Sequence, residues 1–332
     1  MRLSISQDQS VVDYIDQYGP FHPSLEKNLT EEEHVVSKYF GYVVLVDRTH
    51  KWQPSRRYKV LEPVPEGTTP YSFTQCVEAA AEEYVTRCKN KKIVLMWSGG
   101  LDSTCAFYAL IKTGVKFTCQ VNHHSMNEFP LLAAEILSGK YPNVEPQYVI
   151  TGFGGIDQPH PQHEFDFTKY LKDNPDVVIM TGECGDQVFG SAVSVCRSDT
   201  TRQSVYTDVV NPNIVDQLDP TVLAFLNKPK DKITFAQWAW AVNFCCKWQN
   251  VCIRMGMSWG LFPGDPYSNV IHFFNTPDFQ KWSMKNYEFN CMHQQKYTYK
   301  LELRKYLISQ GCNQEYAKTK IKEGSLCRVA YK

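Results

Sequence analysis

Two short segments of this sequence combine glycines with hydroxyls and carboxylates, the groups that bind phosphate and divalent cations. The first segment runs from Ser98 to Ser103 and reads Ser-Gly-Gly-Leu-Asp-Ser. Its glycines let the backbone approach an anion closely, its hydroxyls can donate hydrogen bonds, and Asp102 can hold a cation. The G-x-x-x-x-G-K-[ST] and G-x-G-x-x-G patterns are missing, so the segment predicts a polyphosphate-binding loop of another type.

The second segment begins at Gly182 and reads Gly-Glu-Cys-Gly-Asp-Gln. Both segments follow apolar runs that read as buried parallel strands. Because ligands of open α/β sheets bind outside the carboxyl ends of the strands, Asp102 and Asp186 are predicted to meet there and hold Mg²⁺ and a triphosphate. Taken alone, the first segment could also be a capped turn, with Asp102 as an acidic residue of the first helical turn.

Four apolar, β-branched runs predict the strands that would position these segments. They lie at residues 93–97, 117–121, 147–151 and 177–181. Helical patterns separate the runs, and the pattern that follows the first one stops at Gly114, as a helix with a C-cap glycine would. This alternation predicts an α/β fold with a doubly wound, mostly parallel sheet at about residues 90–195.

The rest of the chain is predicted to add helices around this sheet and a small unit before it. Further helices are predicted at 76–87, 238–259 and 300–310. Residues 1–70 contain one strand candidate, at 42–46, between proline-rich connections, and they predict a small N-terminal extension. Residues 71–332 would then form the main domain, with a helical C-terminal region.

Composition excludes several classes of protein. The chain has 332 residues, is 43% hydrophobic, and carries 35 basic and 35 acidic residues. That balance argues against a disordered chain or a dedicated nucleic-acid or membrane-surface binder. The start of the chain lacks the features of a signal peptide, and no apolar run approaches the roughly 18 residues of a membrane span, so a cytoplasmic protein is expected. The 12 cysteines form no C-x-x-C pair and are predicted to be reduced, buried thiols.

The first segment is identical in letters to the pyrophosphate loop of the PP-loop ATP pyrophosphatases of the asparagine synthetase and β-lactam synthetase type, and the chain resembles that family at three further places. Residues 182–190 are similar to the family's second loop, G-E-G-S-D-E-L-F-G-G. Lys300, Leu303 and Arg304 follow its K-x-x-L-R pattern, and residues 320–324 resemble its R-P-K-x-G segment. The order and spacing of the four elements agree over about residues 70–330.

The resemblance implies an ATP-dependent amide ligase that forms AMP. A substrate carboxylate attacks the α-phosphorus of ATP, pyrophosphate leaves, and an amine captures the acyl-adenylate. The resemblance also implies Mg²⁺ on Asp102 and Asp186, Glu183 as a general base, and Lys322 as the catalytic lysine, with Lys320 as the alternative. The implied ATP contacts are Ser98, Gly99, Gly100, Leu101, Asp102, Ser103, Val121 and Gly182.

Lys300 and Arg304 have two interpretations. They are either supports of this site or solvent-facing residues of an amphipathic helix.

The chain also departs from the family pattern. Arg2 stands where glutamine-dependent members have a cysteine, and about 70 residues are too few for a glutaminase domain. Ammonia or an amine, delivered freely or by a separate amidotransferase or carrier partner, is therefore the expected nucleophile. Gln187 replaces a glutamate of the family's second loop, which leaves the substrate carboxylate unidentified. Two alternatives stay open: a PP-loop enzyme that modifies a nucleobase or tRNA by nitrile formation or thiolation, and a nonenzymatic regulator that binds a nucleotide.

Overall fold

The computed structural model describes residues 45–52, 60, 62–149, 167–190, 192–195, 197–252 and 269–321. Its strands are β1 (Lys92–Met96), β2 (Phe117–Val121), β3 (Val144–Tyr148), β4 (Val177–Thr181) and β5 (Val270–His272). Its α-helices are α1 (Phe73–Arg87), α2 (Leu101–Thr113), α3 (His123–Glu128), α4 (Pro130–Leu137), α5 (Phe167–Asp173), α6 (Gly185–Phe189), α7 (Ala192–Val195), α8 (Asp199–Gln203), α9 (Pro212–Leu226), α10 (Phe235–Val242), α11 (Pro277–Met292), α12 (Leu301–Ser309) and α13 (Gln314–Thr319). A π-helix, Asn243–Lys247, follows α10, and 3₁₀ turns lie at Tyr206–Asp208 and Lys230–Lys232.

The five strands form one parallel sheet in the order β3-β2-β1-β4-β5. Strands β1 and β4 are neighbours, with Ile93 opposite Val178. Since all strands run the same way, the loops that follow β1 and β4 leave the same edge of the sheet side by side. The predicted α/β fold with a parallel sheet is thus confirmed, and β2 and β4 have the predicted bounds. Strand β5 is an addition, because its three residues form too short an apolar run to identify from the sequence.

The predicted strand at 147–151 is wrong by three residues. Strand β3 is Val144–Tyr148, and 150–151 lie outside the described residues. Proline has no backbone N–H to donate to a neighbouring strand, so Pro146 argues against a strand at this position of the sequence. The structure places Pro146 on an edge strand, which pairs only with β2, and an edge position tolerates a proline.

The helix ends follow local sequence signals. Ser72 and Gln75 form a capping box that starts α1 three residues before the predicted 76–87 pattern. Gly114 ends α2 in the left-handed conformation, with φ of 73°, as its position after the apolar pattern predicts. A helix at the predicted 300–310 is confirmed as α12, and its apolar residues join the same core as those of α1 and α2.

The segment 45–52 lies against the C-terminal helical region. The backbone N–H groups of Val46 and Arg48 donate to the carbonyls of Cys246 (2.8 Å) and Cys245 (3.0 Å) in the π-helix. Because a π-helix alters the regular helical ladder, its carbonyls can accept such external partners. Leu45 and Val46 are therefore not in a strand, which corrects the candidate at 42–46 for its described part, and residues 42–44 lie outside the described residues.

The ten cysteines of the described residues are all buried and form no disulfide with one another, as predicted for thiols of the core. Cys245 and Cys246 lie in the π-helix within the hydrophobic core. Among the helices in the described ranges, none is long and apolar enough to cross a membrane.

Candidate functional site

The loop between β1 and α2 is closed by its own hydroxyls. The Ser98 N–H donates to Ser103 Oγ (3.1 Å), the two serine Oγ atoms lie 3.0 Å apart, and the Ser103 hydroxyl donates to the Gly100 carbonyl (3.2 Å). Gly100 is the N-cap of α2, and no side chain caps this helix. The first N–H groups of a helix have no partner within it, so the N-terminus of α2 favours an anion. The alternative interpretation as a capped turn is right in one respect, because Asp102 lies in the first turn of α2, although no side chain supplies the cap.

The loop after β4 packs directly on the start of α2. A Cβ atom on Gly182 would lie 2.5 Å from the Ser103 backbone nitrogen, and one on Gly185 would collide with the Asp102 carboxyl group. Side chains are therefore excluded at both positions by the contact between the two loops. The sequence motif suggests that glycines serve a close approach to phosphate, whereas here they also let the two acidic loops touch.

A buried lysine lies between the two predicted metal ligands. The Lys300 ammonium contacts Asp102 Oδ2 and lies 2.7 Å from Asp186 Oδ1. The Lys300 side chain is 5% exposed, against 24% and 30% for those of Asp102 and Asp186. Tyr299 adds a hydrogen bond from its hydroxyl to Asp186 Oδ1 (2.9 Å). The structure thus brings the two carboxylates to one point, and a cationic side chain of the protein joins them.

Burial lowers the pKa of Lys300, whereas the adjacent Asp102 carboxylate acts in the opposite direction and favours the ammonium form. Glu183 also lies close enough to favour that charge. Two carboxylates against one ammonium leave one formal negative charge at this point. The cluster can therefore accept further positive charge.

The cluster also fits a divalent cation. Asp102 Oδ1 is buried and has no hydrogen-bond partner. A hard cation such as Mg²⁺ prefers oxygen ligands and needs only one or two carboxylates when phosphate and water complete its coordination. Asp102 and Asp186 supply such oxygens. Within the described residues, His, Cys, Asp and Glu form no group of three or more that could hold a metal.

Arg304 fixes the element that presents Lys300. Lys300 is the N-cap of α12 and adopts φ of 61°, a left-handed conformation that is uncommon for a lysine. The Arg304 guanidinium donates to the carbonyls of Tyr299 (2.6 Å), Ala317 (2.7 Å) and Lys320 (2.7 Å). Lys300 and Arg304 are both buried, so the solvent-facing interpretation of these two residues is wrong. Arg304 ties the start of α12 to the end of α13.

Lys320 lies beside the first loop. One turn earlier on α13, the Tyr316 hydroxyl donates to the Gly99 carbonyl (2.6 Å). The Lys320 ammonium forms an ion pair with Glu128 at the end of α3. Lys322, the other predicted catalytic lysine, lies outside the described residues.

The remaining predicted residues line the same edge. Glu183 is partly buried, and its N–H donates to Thr181 Oγ1 (3.2 Å). The Val121 carbonyl, a predicted contact of the nucleotide base, accepts a hydrogen bond from the Val149 N–H (2.9 Å) and keeps a second lone pair. Leu101 is buried at the start of α2.

The replacements in the second loop have local explanations. Gln187 donates from Nε2 to Asn243 Oδ1 (3.1 Å), and the Asn243 amide donates to the Asp186 carbonyl (3.0 Å). The π-helix thereby holds the helix that carries Asp186. Cys184 adopts a left-handed φ of 71° with its Sγ 3.6 Å from Cys252 Sγ, and burial raises the pKa of its thiol.

Several residues of this site cannot be predicted from the sequence. Tyr299, Tyr316 and Glu128 belong to no motif, and only the K-x-x-L-R pattern hints at Lys300. Each reaches the site from a distant part of the chain. No protein-family model matches the sequence, and a search of curated proteins finds no significant match. The function is therefore inferred from the geometry of the two loops.

Proposed function

We propose that this protein is an ATP-dependent, AMP-forming ligase of the asparagine synthetase type. It would adenylate a substrate carboxylate, release pyrophosphate, and transfer the acyl group to ammonia or an amine. The observation that carries the proposal is the convergence of Asp102 and Asp186 on Lys300, at the ends of the adjacent strands β1 and β4. In open α/β sheets, the point where the strand order reverses is where ligands bind, and the order β3-β2-β1-β4-β5 reverses there.

The surroundings of this point suit a triphosphate. The uncapped N-terminus of α2 presents backbone N–H groups, and Lys320 pairs with Glu128, which packs against Gly99. Lys300 adds a second cation whose charge is held in place by two carboxylates. Such preorganised positive groups stabilise charge that develops on a departing pyrophosphate.

Proton transfer needs a separate group. The amine loses a proton when it attacks the acyl-adenylate, and a carboxylate within reach can accept it. Glu183 is the second residue after β4, and its carboxylate is close enough to Lys300 to favour the ammonium form. Mg²⁺ on Asp102 and Asp186 would supply Lewis-acid stabilisation of the phosphates. A cytoplasmic location, and delivery of ammonia by a partner amidotransferase or carrier, complete the proposal.

A second candidate function is favoured by Lys300 itself. A lysine that pairs with both carboxylates cancels part of their charge and reduces their attraction for Mg²⁺. A regulator that binds a nucleotide without turnover would tolerate this loss. The two candidates differ in one measurable respect. The ligase exchanges pyrophosphate into ATP, whereas the regulator binds ATP and leaves it intact.

The decisive experiment is exchange of radiolabelled pyrophosphate into ATP across a panel of carboxylic acids. We expect exchange that depends on one class of acid and on Mg²⁺, and that is lost in Asp102→Asn. Asp231→Asn serves as the matched control, since the Asp231 side chain is 72% exposed and lies in the 3₁₀ turn Lys230–Lys232. Formation of ADP and phosphate would reject adenylation. ATP binding without exchange for any acid would favour the regulator.

A further inference from the structure

We propose that Glu128 is a positioning residue that holds the Lys320 ammonium beside the phosphate loop and competes with polyphosphate for it. This inference rests on the proposed binding of ATP at the Ser98–Ser103 loop. It assigns to Glu128 a role in setting the affinity for the pyrophosphate end of the nucleotide.

The geometry places the ion pair against the loop. Lys320 Nζ contacts Glu128 Oε2, and the two side chains are 16% and 15% exposed. A Cβ atom on Gly99 would lie 2.6 Å from Glu128 Cβ and 2.7 Å from the Ser125 carbonyl oxygen. Glu128 and the loop are thus in direct contact, and the pair is largely shielded from solvent.

The backbone around Lys320 is held in place. The Tyr316 ring stacks on Phe129 with ring centroids 3.6 Å apart, and its hydroxyl donates to Gly99. Arg304 donates to the Lys320 carbonyl (2.7 Å). The backbone of Lys320 is therefore fixed next to the loop. Only its flexible side chain can move from the carboxylate to an anion bound at the loop.

Without the ion pair to Lys320, the negative charge of Glu128 would be unfavourable at this position. A carboxylate next to an anion-binding loop repels a polyphosphate, and shielding from water strengthens the repulsion. His124 also lies near the pair, with Nε2 3.9 Å from Glu128 Oε1, and its side chain is 60% exposed. An ion pair exchanges partners when a more highly charged anion arrives. Removal of the Glu128 charge should therefore release Lys320 to the phosphate and tighten binding.

Calorimetric titration with inorganic pyrophosphate, with and without Mg²⁺, tests this assignment. We expect Glu128→Gln to tighten pyrophosphate binding about five- to tenfold and Lys320→Met to weaken it tenfold or more. In the Lys320→Met background, Glu128→Gln should gain clearly less than in the parent, because the release of Lys320 no longer contributes and only the direct repulsion is removed. The KM for ATP in the exchange assay should also fall in Glu128→Gln.

Controls separate this local effect from a change in overall charge. Glu315→Gln removes an exposed carboxylate of α13 and should leave pyrophosphate affinity within twofold of the parent. If Glu128→Gln does not fold, Glu128→Asp withdraws the carboxylate by one methylene and should tighten binding about twofold.

The outcomes distinguish the inference from the proposed function. Binding by the parent with unchanged or weaker affinity in the Glu128 variants overturns the inference alone. An equal gain from Glu128→Gln with and without Lys320 also overturns it, since Glu128 would then act only by repulsion. Failure of the parent to bind either pyrophosphate or ATP overturns the proposed function, and this inference falls with it.

Discussion

Replacement of Lys300 by methionine should destabilise the protein because it leaves two carboxylates facing each other. Lys300→Met keeps most of the aliphatic stem and removes the ammonium that contacts Asp102 and Asp186. Breaking a buried ion pair by removing one partner costs about 3–5 kcal/mol. The two carboxylates here are 24% and 30% exposed, so water screens part of the repulsion. We therefore expect the free energy of unfolding to fall by about 2–3 kcal/mol, which is less than the cost of breaking a fully buried pair.

Urea unfolding at neutral pH measures this loss, and a second variant identifies its cause. Asp186→Asn in the Lys300→Met background removes one of the two like charges and should recover about 1–2 kcal/mol, the order of an unpaired buried polar contact. Lys305→Met is the control, because Lys305 is 60% exposed and pairs with Glu302 on the surface of α12. Such an exposed pair contributes at most about 1 kcal/mol.

Two results would refute this reasoning. In the first, Lys300→Met unfolds at the same urea concentration as the parent. In the second, it loses stability but recovers none of it when Asp186 is neutralised. The first result would mean that Lys300 does not hold the carboxylates together, and the second that the loss comes from packing alone.

Three further predictions concern the same edge of the sheet and the core. Gly185→Ala should abolish pyrophosphate exchange, because its methyl group would displace the Asp102 carboxyl, and exchange at the parent's rate would contradict the close contact of the two loops. Glu183→Gln should retain exchange more than amide formation if Glu183 accepts the amine proton, and equal losses of both would contradict that role. Burial raises the pKa of the Cys76 thiol from its usual 9.0 to about 12, so its reaction with Ellman's reagent at pH 8, followed by peptide mass spectrometry, should be about a thousandfold slower in the native than in the urea-unfolded protein.

The elements that the sequence predicts well are those whose signals are local. Strands β2 and β4 are buried, and β4 is apolar at each of its first four residues, which is typical of a parallel strand covered on both faces. Helix α2 is recognisable from its apolar face and the glycine that ends it. Strand β3 shows the opposite case, because an edge strand is half exposed and its proline obscures the pattern.

The environment of a charged residue, in contrast, cannot be predicted from a local pattern. An amphipathic pattern places Lys300 at the border of a helix, and the same pattern fits a lysine that faces water and one that faces two carboxylates. The choice depends on groups far away in the chain, Asp102 and Asp186, which reach Lys300 because β1 and β4 are neighbours. Glu128 and Lys320 are likewise paired by the packing of α13 against the first loop.

The order of the amino acids is sufficient to specify two loops rich in glycine and carboxylate, since their chemistry resides in residues adjacent along the chain. The two loops form one site because of the order of the strands in the sheet. The charge balance within that site depends on a lysine at the start of a helix that is distant in the chain. Folding brings these groups within hydrogen-bonding distance, where burial strengthens every electrostatic interaction between them. No local pattern of residues can contain that information, because it arises from contacts between separate segments.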